Sequence, residues 1–301
     1  MDFPDSDTKF HNYDELIAAL KKLQAEAPDI VAYEVVGKSI ENRDIVNLRI
    51  STDLAKSSEK PGISFIGTHH AREHLSTELP IMLAQYLVSE FKKGNPEIKK
   101  LVEGREINII PLVNPDGAEW DISTGVYKGW RKNRRVNSDG SFGVDLNRNY
   151  AYQWGTTGTS SNPRSDVYKG TTPFSEPETM AIKTFLEKKT NVTIQVSFHS
   201  FSELILYPWG WTYDALENTR DLQVHKTMAD TMAAWNGYTS EQSSDLYTAS
   251  GDTTDWAYAQ LKMISFTFEL DPKSALGIGG FYPGQAKIPV VFQKNLKPCL
   301  Y

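Results

Sequence analysis

The sequence has almost no cysteine and no long apolar run, and each shortage excludes a class of protein. Cys299 is the only cysteine among 301 residues, so an internal disulfide, a zinc site built from cysteines and a Cys-x-x-Cys redox motif are excluded. The longest nearly apolar run, Leu79 to Val88, contains Gln85 and is too short to span a bilayer. No charged-then-apolar leader opens the chain. We therefore expect a cytosolic protein or a mature fragment whose targeting segment has been removed.

An excess of positive charge is also missing. Lys and Arg number 32 against 38 Asp and Glu, which gives a net charge of −6 and argues against a nucleic-acid surface built on global charge. The sequence contains no Gly-x-Gly-x-x-Gly and no Gly-x-Ser-x-Gly. The Gly-Lys-Ser at residues 37–39 is not a P-loop, because Ala32 stands where the first glycine is needed. Dinucleotide, P-loop and serine-hydrolase chemistry therefore have no support.

Apolar segments alternate with amphipathic ones along the whole chain, and no long linker divides it. Strands are predicted at 31–37, 44–50, 61–67, 105–113, 192–198 and 263–270, and helices at 13–27, 77–92, 176–190, 219–236 and 284–297. The segment 114–173 is predicted to be irregular and functional, and it contains the turn signal Asn-Pro-Asp-Gly. The sequence predicts one α/β domain, a sandwich of helices around a largely buried sheet.

Polar residues mark where three of these helices begin. Asn12, Ser76 and Ser175 directly precede the predicted helices, and Ser175 with Glu178 has the spacing of a capping box. We expect each of the three side chains to accept a backbone hydrogen bond from the first turn of its helix.

The segment Thr-His-His-Ala-Arg-Glu-His, which follows the predicted strand at 61–67, is the first candidate for chemistry. His70 and Glu73 in it are three residues apart, and in a tight turn both can reach one ion. A catalytic zinc needs a third protein ligand. His199 offers one, because it ends an apolar strand where α/β sheets place their sites. The alternative is a chance pairing, since His-x-x-Glu alone is a weak signal.

Two further strand ends carry charged side chains. The segment of Asp145, Asn147 and Arg148 is either a polar turn or a fork for a carboxylate, in which Arg binds bidentately and Asn adds a donor. Glu269 ends an apolar strand, where a carboxylate is costly unless it is paired or lies beside a metal. Tyr247 lies on a nearby Gly-containing loop, where packing is the alternative to a functional role.

The remaining candidates are weaker. The cationic cluster at 130–135 is either a solvated face or a source of one arginine for a developing oxyanion. His69 and His74 are expected to pack or to support ligands, and His225 is expected on the surface in the middle of a helix.

Together these segments resemble the zinc metallocarboxypeptidases of the pancreatic A/B type, and most closely the branch of the bacterial carboxypeptidase T. The matching segments run in family order from about residue 10 to residue 270: HNY, HHAREHL, NPDG, WRKNR, VDLNRN, SFHSFSELILYPWG, LYTASGDTTDWAY and SFTFEL. The resemblance implies a single α/β/α domain around a mixed, twisted sheet of about eight strands. It also implies that residues 1–301 are a mature catalytic domain with no propeptide.

The resemblance implies a reaction centre residue by residue. The ligands of one Zn²⁺ per chain would be His70, Glu73 and His199. Glu269 would be the general base, and Arg131 would stabilise the oxyanion. The reaction implied is hydrolysis of the C-terminal peptide bond, which releases single amino acids.

The resemblance also implies how the substrate is held. Asn147 and Arg148 would bind its terminal carboxylate, and Tyr247 would fold over it. Arg72 would bind the substrate beyond the scissile bond. Asp145 would orient the first zinc histidine, since such partners select the tautomer of a ligand.

Two residues of the segment Ser-Gly-Asp-Thr-Thr-Asp-Trp bear on specificity. Thr254 matches the floor of the family's pocket for the terminal side chain, and it is small and uncharged. If the segment is extended, Asp252 and Thr254 point the same way, and Asp252 can reach a terminal Lys or Arg. The alternative is that Asp252 caps the turn after Gly251 and faces solvent. We expect apolar or aromatic terminal residues to be preferred and basic ones to be accepted.

Other implications of the resemblance concern location and partners. We expect a secreted monomer that acts on the C-termini of peptides or proteins and binds neither nucleic acid nor membrane. Relatives bind calcium, for which the acidic residues Asp5, Asp7, Asp14 and Glu15 are candidates, although a solvated acidic face is the favoured explanation and no EF-hand spacing supports calcium. Two rival functions are a related zinc amidase and a non-catalytic peptide-binding protein, and the full motif set argues against both.

Overall fold

A mixed eight-stranded sheet forms the centre of the molecule, in a computed structural model that describes residues 2–301. Its strands are β1 (Val31–Lys38), β2 (Asp44–Ile50), β3 (Gly62–Gly67), β4 (Glu106–Ile110), β5 (Val192–Ser200), β6 (Leu204–Tyr207), β7 (Thr239–Gln242) and β8 (Ile264–Leu270). They lie in the order β1-β2-β4-β3-β5-β8-β6-β7. The neighbours β4, β3, β5 and β8 run parallel, while β2 and β6 flank them antiparallel.

Helices cover both faces of the sheet, which confirms the predicted α/β sandwich. They are α1 (Tyr13–Glu26), α2 (Leu75–Lys92), α3 (Pro96–Gly104), α4 (Pro115–Ile122), α5 (Pro177–Lys188), α6 (Thr219–Asn236), α7 (Ser243–Leu246), α8 (Thr253–Leu261) and α9 (Lys287–Leu300). Short 3₁₀ helices occur at Asp5–Asp7, Leu54–Glu59, Leu146–Arg148 and Gly277–Phe281. Side chains of α1, α2, α6 and α9 pack on one face and those of α5 and α8 on the other. Burial on both faces explains why the parallel strands are almost continuously apolar.

The start of α1 confirms the first predicted cap. Asn12 Oδ1 accepts the backbone N–H of Glu15, and the Glu15 carboxylate accepts the N–H of Asn12. This reciprocal pair satisfies two backbone donors at the helix start. Leu16, Leu20 and Leu23 then face the core.

The other two predicted caps are wrong. α2 begins at Leu75, and Ser76 donates its hydroxyl to the Glu73 carbonyl from within the helix. α5 begins at Pro177, and Ser175 donates to the neighbouring carboxylate of Glu176 instead of capping. Each hydroxyl also bonds to a side chain outside its helix, since that of Ser76 contacts the Thr68 hydroxyl and that of Ser175 accepts from Asn149 Nδ2.

Two further local expectations are corrected. The Asn-Pro-Asp-Gly segment, predicted as a turn, begins the helix α4, with Asn114 Oδ1 accepting the N–H of Gly117. His225, expected on the surface, is buried in α6. Its Nδ1 lies 2.8 Å from the carbonyl oxygen of Asp221, and its Nε2 accepts the backbone N–H of Ser265 in β8 at 3.1 Å. The ring therefore joins α6 to the sheet.

The part of the chain that the structure describes contains no candidate for a membrane-spanning helix. None of its helices has both the length and the apolar character that crossing a bilayer requires.

Candidate active site

A cleft lies at the edge of the sheet where β3, β5 and β8 end. Gly67 of β3 pairs with Phe198 of β5, and His199 of β5 pairs with Glu269 of β8. Side chains that follow these parallel strands therefore meet at one edge. The cleft has a volume of about 550 Å³, and its walls include His70, Arg72, Glu73, Arg131, Arg148, Tyr247 and Glu269.

A glycine lets the chain turn sharply as it leaves β3. A Cβ atom on Gly67 would lie 2.1 Å from the carbonyl oxygen of Ser76, so no larger residue fits there. Thr68 follows with a φ of 56°, and its hydroxyl bonds to that of Ser76 at 2.9 Å. The turn carries His70 and Glu73 over the end of the sheet, ahead of α2.

His70, Glu73 and His199 converge on one point. His70 Nδ1 lies 2.8 Å from Glu73 Oε1 and 3.1 Å from His199 Nδ1, and the latter lies 3.0 Å from Glu73 Oε2. All three side chains are buried. Within residues 2–301, no other group of three His, Cys, Asp or Glu side chains brings its ligand atoms this close, within 4.8 Å of one another.

The chemistry of this donor set fits zinc. Two imidazole nitrogens and one carboxylate are the ligands of many catalytic zinc sites, which keep a fourth position for water or substrate. The Nδ1 atoms of His70 and His199 face each other, so they compete for one proton but can both bind a cation. Although burial opposes it, the two histidines hold the pKa of Glu73 well below its usual value. The site therefore favours an ionised carboxylate, as metal binding requires.

Asp145 links the candidate metal centre to Arg131. Its Oδ1 lies 3.1 Å from His70 Nε2, and its Oδ2 accepts from Nε and Nη2 of Arg131, both at 2.9 Å. Burial disfavours the charge of Asp145, but Arg131 and His70 hold its pKa well below its usual value. The carboxylate thus selects the tautomer of His70 that leaves Nδ1 for a metal.

Glu269 lies in the cleft beside the candidate metal centre. Its side chain is only 9% exposed. Burial, followed by the charge of Glu73, raises the pKa of Glu269 to about 8, while Arg131 and Arg148 act in the opposite direction. A nearby cation would favour the ionised form. The group is therefore positioned and tuned for proton transfer near neutral pH.

Arg148 and Asn147 form one wall of a smaller pocket that opens off the cleft. Arg148 is 3% exposed, yet it donates only to the carbonyl oxygens of Gly158 and Asn147, at 3.1 and 2.7 Å. No carboxylate among residues 2–301 forms an ion pair with it. Asn147 Oδ1 accepts from the N–H of Thr253 at 3.0 Å, which leaves Nδ2 as a donor. Tyr247 is 49% exposed, with its ring 5.9 Å from the Arg148 guanidinium.

Asp252 also lines this pocket, but the geometry assumed for it is wrong. The segment is not extended, because Asp252 caps α8 with Oδ1 accepting the N–H of Asp255 at 2.9 Å. The alternative prediction of a cap is thus correct, whereas solvent exposure is not. Oδ2 of Asp252 is buried and has no hydrogen-bond partner among the described residues.

Thr254 lies behind the pocket wall. Its hydroxyl bonds at 2.7 Å to that of Thr267, and Thr267 lines the pocket. Since 253–261 is helical, Asp252 and Thr254 do not project side by side. Thr267, and not Thr254, is therefore the uncharged threonine that lines the pocket.

Arg72 lines the cleft but not the small pocket. It donates to the carbonyl oxygen of Gly129 at 3.1 Å, and its guanidinium lies 4.2 Å from the centre of the Phe281 ring. Arg72 and Phe281 both line the cleft. The structure thus brings every predicted site residue to the cleft or to its supporting layer.

Several supporting residues were not predicted. Asp121 accepts from the Trp130 N–H at 2.7 Å and lies 2.9 Å from His74 Nε2, so it fixes the loop that ends in Arg131. Tyr150 and Thr253 contact His69, which supports the expectation that His69 is not a ligand. A buried polar partner carries no spacing signal of its own, and only the tertiary structure reveals it.

The calcium prediction gains no support. The Glu15 carboxylate is used in the cap of α1. Asp7 accepts from the Tyr127 hydroxyl and from the N–H of Gln285, both at 2.8 Å. In the described part of the chain, the acidic residues Asp5, Asp7, Asp14 and Glu15 form no cluster with metal-binding geometry.

Comparisons with known proteins agree with this geometry. Residues 16–297 match the zinc carboxypeptidase family. A zinc carboxypeptidase from Saccharothrix mutabilis subsp. capreolus is 38% identical over 98% of this chain and 69% of that protein. Carboxypeptidase B from Astacus astacus is 31% identical over 94% of this chain and 92% of that protein.

Solved structures show the same architecture. Bovine thrombin-activatable fibrinolysis inhibitor, solved in complex with tick carboxypeptidase inhibitor, superimposes with a TM-score of 0.85 at 27% identity over 97% of this chain and 95% of that chain. Fold, donor set and family match therefore coincide. The chain belongs to the zinc carboxypeptidase family and is a metallocarboxypeptidase, an enzyme for which the family implies Zn²⁺ and peptide C-termini as substrates.

Proposed function

We propose that this enzyme releases single amino acids from peptide C-termini, with Arg148 and Asn147 recognising the free carboxylate. The observation that carries the proposal is the buried guanidinium of Arg148, which has only carbonyl acceptors within residues 2–301. A buried cation without an anionic partner is costly. The carboxylate of a substrate supplies that partner, and the Nδ2 donor of Asn147 adds a second contact.

The reaction centre has a residue for each requirement of peptide hydrolysis. Zn²⁺, held by His70, Glu73 and His199, would polarise the scissile carbonyl and acidify a water molecule. Glu269 takes a proton from the attacking water and passes it to the leaving amine. Arg131, whose Nε and Nη2 are held by Asp145, donates from its remaining Nη1 to the oxyanion that develops on the carbonyl.

The small pocket supports mixed specificity. Its walls are largely uncharged, with Leu206, Ala249 and Thr267 among them, which suits apolar or aromatic side chains. The unpaired Oδ2 of Asp252 adds an acceptor for the head of a terminal Lys or Arg. Tyr247, half exposed at the entrance, closes over the bound terminal residue.

The proposal extends to the whole chain. Residues 1–301 would be the mature catalytic domain of a secreted monomer. A particular likeness to carboxypeptidase T is part of this proposal and rests on the motifs alone.

Metal content together with single-residue release tests the proposal. The purified enzyme should hold about one zinc per chain and release leucine from an acyl-Ala-Leu dipeptide, but not from its amidated form. Glu73→Ala should lose both zinc and activity, whereas Glu187→Ala, on the exposed face of α5, should lose neither. Zinc retention with full activity in Glu73→Ala would refute the ligand assignment. Equal turnover of the amidated peptide would refute exopeptidase action.

A further inference from the structure

One charged side chain in the cleft has no part in the proposed reaction. Asp166 lies on the loop between the 3₁₀ helix Leu146–Arg148 and α5, and it lines the cleft. Its side chain is 69% exposed, and Oδ2 lies 3.7 Å from Nη1 of Arg72. Within residues 2–301 its carboxylate accepts no hydrogen bond. Asp166 is therefore available to a ligand, and its ion pair with Arg72 is the only bond of its side chain among the described residues.

Arg72 keeps its position without Asp166. Its guanidinium is held by the hydrogen bond to the Gly129 carbonyl and by the ring of Phe281. A second cation, Lys132, is buried below the loop, where Nζ donates to the carbonyl of Pro163 at 2.7 Å. Asp166 is thus an acidic group that lines the cleft beside a cation, Arg72, that other contacts hold in place.

This wall lies away from the pocket for the terminal residue. Arg148, Tyr247 and Asp252 line the small pocket, whereas Arg72 and Asp166 line only the main cleft. A substrate whose terminal carboxylate bonds to Arg148 runs past the candidate metal centre toward this wall. Its residues upstream of the scissile bond then pass over the ion pair of Arg72 and Asp166.

We propose that Asp166 sets the charge preference of the enzyme for substrate residues upstream of the scissile bond, an inference that rests on the proposed function. With Asp166 present, the charge of Arg72 is balanced, and a basic upstream side chain finds an exposed carboxylate. Without it, Arg72 leaves the wall positive, which favours acidic side chains. Asp166 therefore favours basic over acidic upstream residues.

Two series of blocked tripeptides test the inference: acyl-Ala-Xaa-Leu and acyl-Xaa-Ala-Leu, with Lys, Gln or Glu at Xaa. Asp166→Asn should lower the ratio of kcat/KM for Lys against Glu by about two- to fivefold at low salt, the upper part of the range for one exposed charge interaction. Asp166→Lys should lower it further, and 0.5 M salt should reduce both effects. Asp29→Asn removes the same charge from the exposed turn before β1 and should leave the ratio unchanged.

The outcomes separate this inference from the proposed function. A merely structural role of Asp166 would change release from the Lys, Gln and Glu peptides equally, and that result would overturn the charge preference. An unchanged Lys-to-Glu ratio in both series, with leucine still released, would overturn it as well. If the wild-type enzyme released no leucine from any tripeptide, the proposed function would fail first and this inference with it.

Discussion

The two halves of the cleft differ in how completely their charged side chains are paired. In the metal half, His70, Asp145 and Arg131 form a continuous chain of contacts of 2.9–3.1 Å. In the terminal-residue half, Arg148 has no carboxylate partner, and Oδ2 of Asp252 has no donor, among the described residues. Both halves are buried, so the difference does not follow from solvent access.

The difference separates positioning from recognition. A fully paired chain holds its members in one geometry, which is what a metal centre and an oxyanion donor require. Buried groups without partners instead destabilise the empty pocket and are satisfied only by a complementary ligand. Changes in the paired half should therefore affect catalysis and metal binding, and changes in the unpaired half should affect the choice of substrate.

The largest effect should come from Glu269→Gln in the metal half. We expect kcat to fall by about 10²–10⁴-fold, because the amide cannot accept the proton of the attacking water. Zinc content by elemental analysis and circular dichroism should match the wild type. Glu241→Gln, on β7 and outside the cleft, serves as the control. A variant that keeps kcat within a few-fold of the wild type would remove Glu269 from the mechanism.

Breaking the paired chain at Asp145 should weaken metal binding. Asp145→Asn should lower zinc affinity by about 10–100-fold, because His70 loses the carboxylate that orients its ring. Competition with a fluorescent chelator measures this affinity. Asp139→Asn removes an exposed carboxylate that pairs with Arg164 and should have no effect. Wild-type zinc affinity in Asp145→Asn would mean that the contact with His70 is incidental.

Removing Arg148, the unpaired cation, should lower kcat/KM as much as removing the terminal carboxylate of the substrate does. Arg148→Ala should lower kcat/KM by about 10–100-fold, the range for losing a hydrogen bond to a charged group. Amidation of the substrate should cost the wild type a similar factor, and the two losses should not add. Arg164→Ala, which is exposed outside the cleft, is the matched control. Additive losses would show that Arg148 does not contact the carboxylate.

The smallest effect should come from Asp252→Asn and should be selective. We expect kcat/KM for a terminal Arg to fall about tenfold, while that for a terminal Leu changes little. Matched acyl-Ala-Arg and acyl-Ala-Leu peptides measure the difference. Thr212→Val, in the exposed segment between β6 and α6, should change neither value. Equal losses on both peptides would show that Asp252 does not read the side chain.

The burial of Asp252 also predicts that the preference for a terminal Arg over Leu depends on pH. Burial raises the pKa of Asp252, and the charge of Arg148 opposes this only in part. As pH falls, Asp252 is therefore neutralised at a higher pH than an ordinary Asp, whose pKa is about 3.9. The ratio of kcat/KM for Arg against Leu should then decline over that range, and Asp252→Asn should flatten the decline. A ratio that is independent of pH in the wild type would contradict this.

Most of the chemically active residues could be predicted because they lie at the ends of apolar strands or directly after them. His199 and Glu269 lie at the ends of apolar strands, and the His-x-x-Glu segment follows directly after another, whereas the Asn-Arg segment lies in a 3₁₀ helix that no strand directly precedes. Buried apolar strands run in the common direction of the parallel sheet, and the carboxyl ends of parallel strands lie at one edge. Residue order along the chain therefore already implied that these side chains meet.

The supporting residues could not be predicted in this way. Local patterns place His225 on the surface and Ser175 at a helix cap, yet each bonds to a partner distant in sequence, Ser265 and Asn149 respectively. The sequence pattern predicts an extended backbone from Asp252 to Thr254, but α8 begins directly after Asp252. At His225 and Ser175 a local preference of about 1 kcal/mol competes with tertiary contacts, whose burial is often worth more.

By itself, the sequence determined the α/β order of elements, the donor types and the strand ends that carry them, because periodicity and residue chemistry are local properties. Only the tertiary structure decided which buried charges are paired and which are left for a substrate. Pairing depends on distances of about 3 Å between segments far apart along the chain. That is why Asp145 is paired beside the candidate metal centre, while Oδ2 of Asp252 has no partner among the described residues.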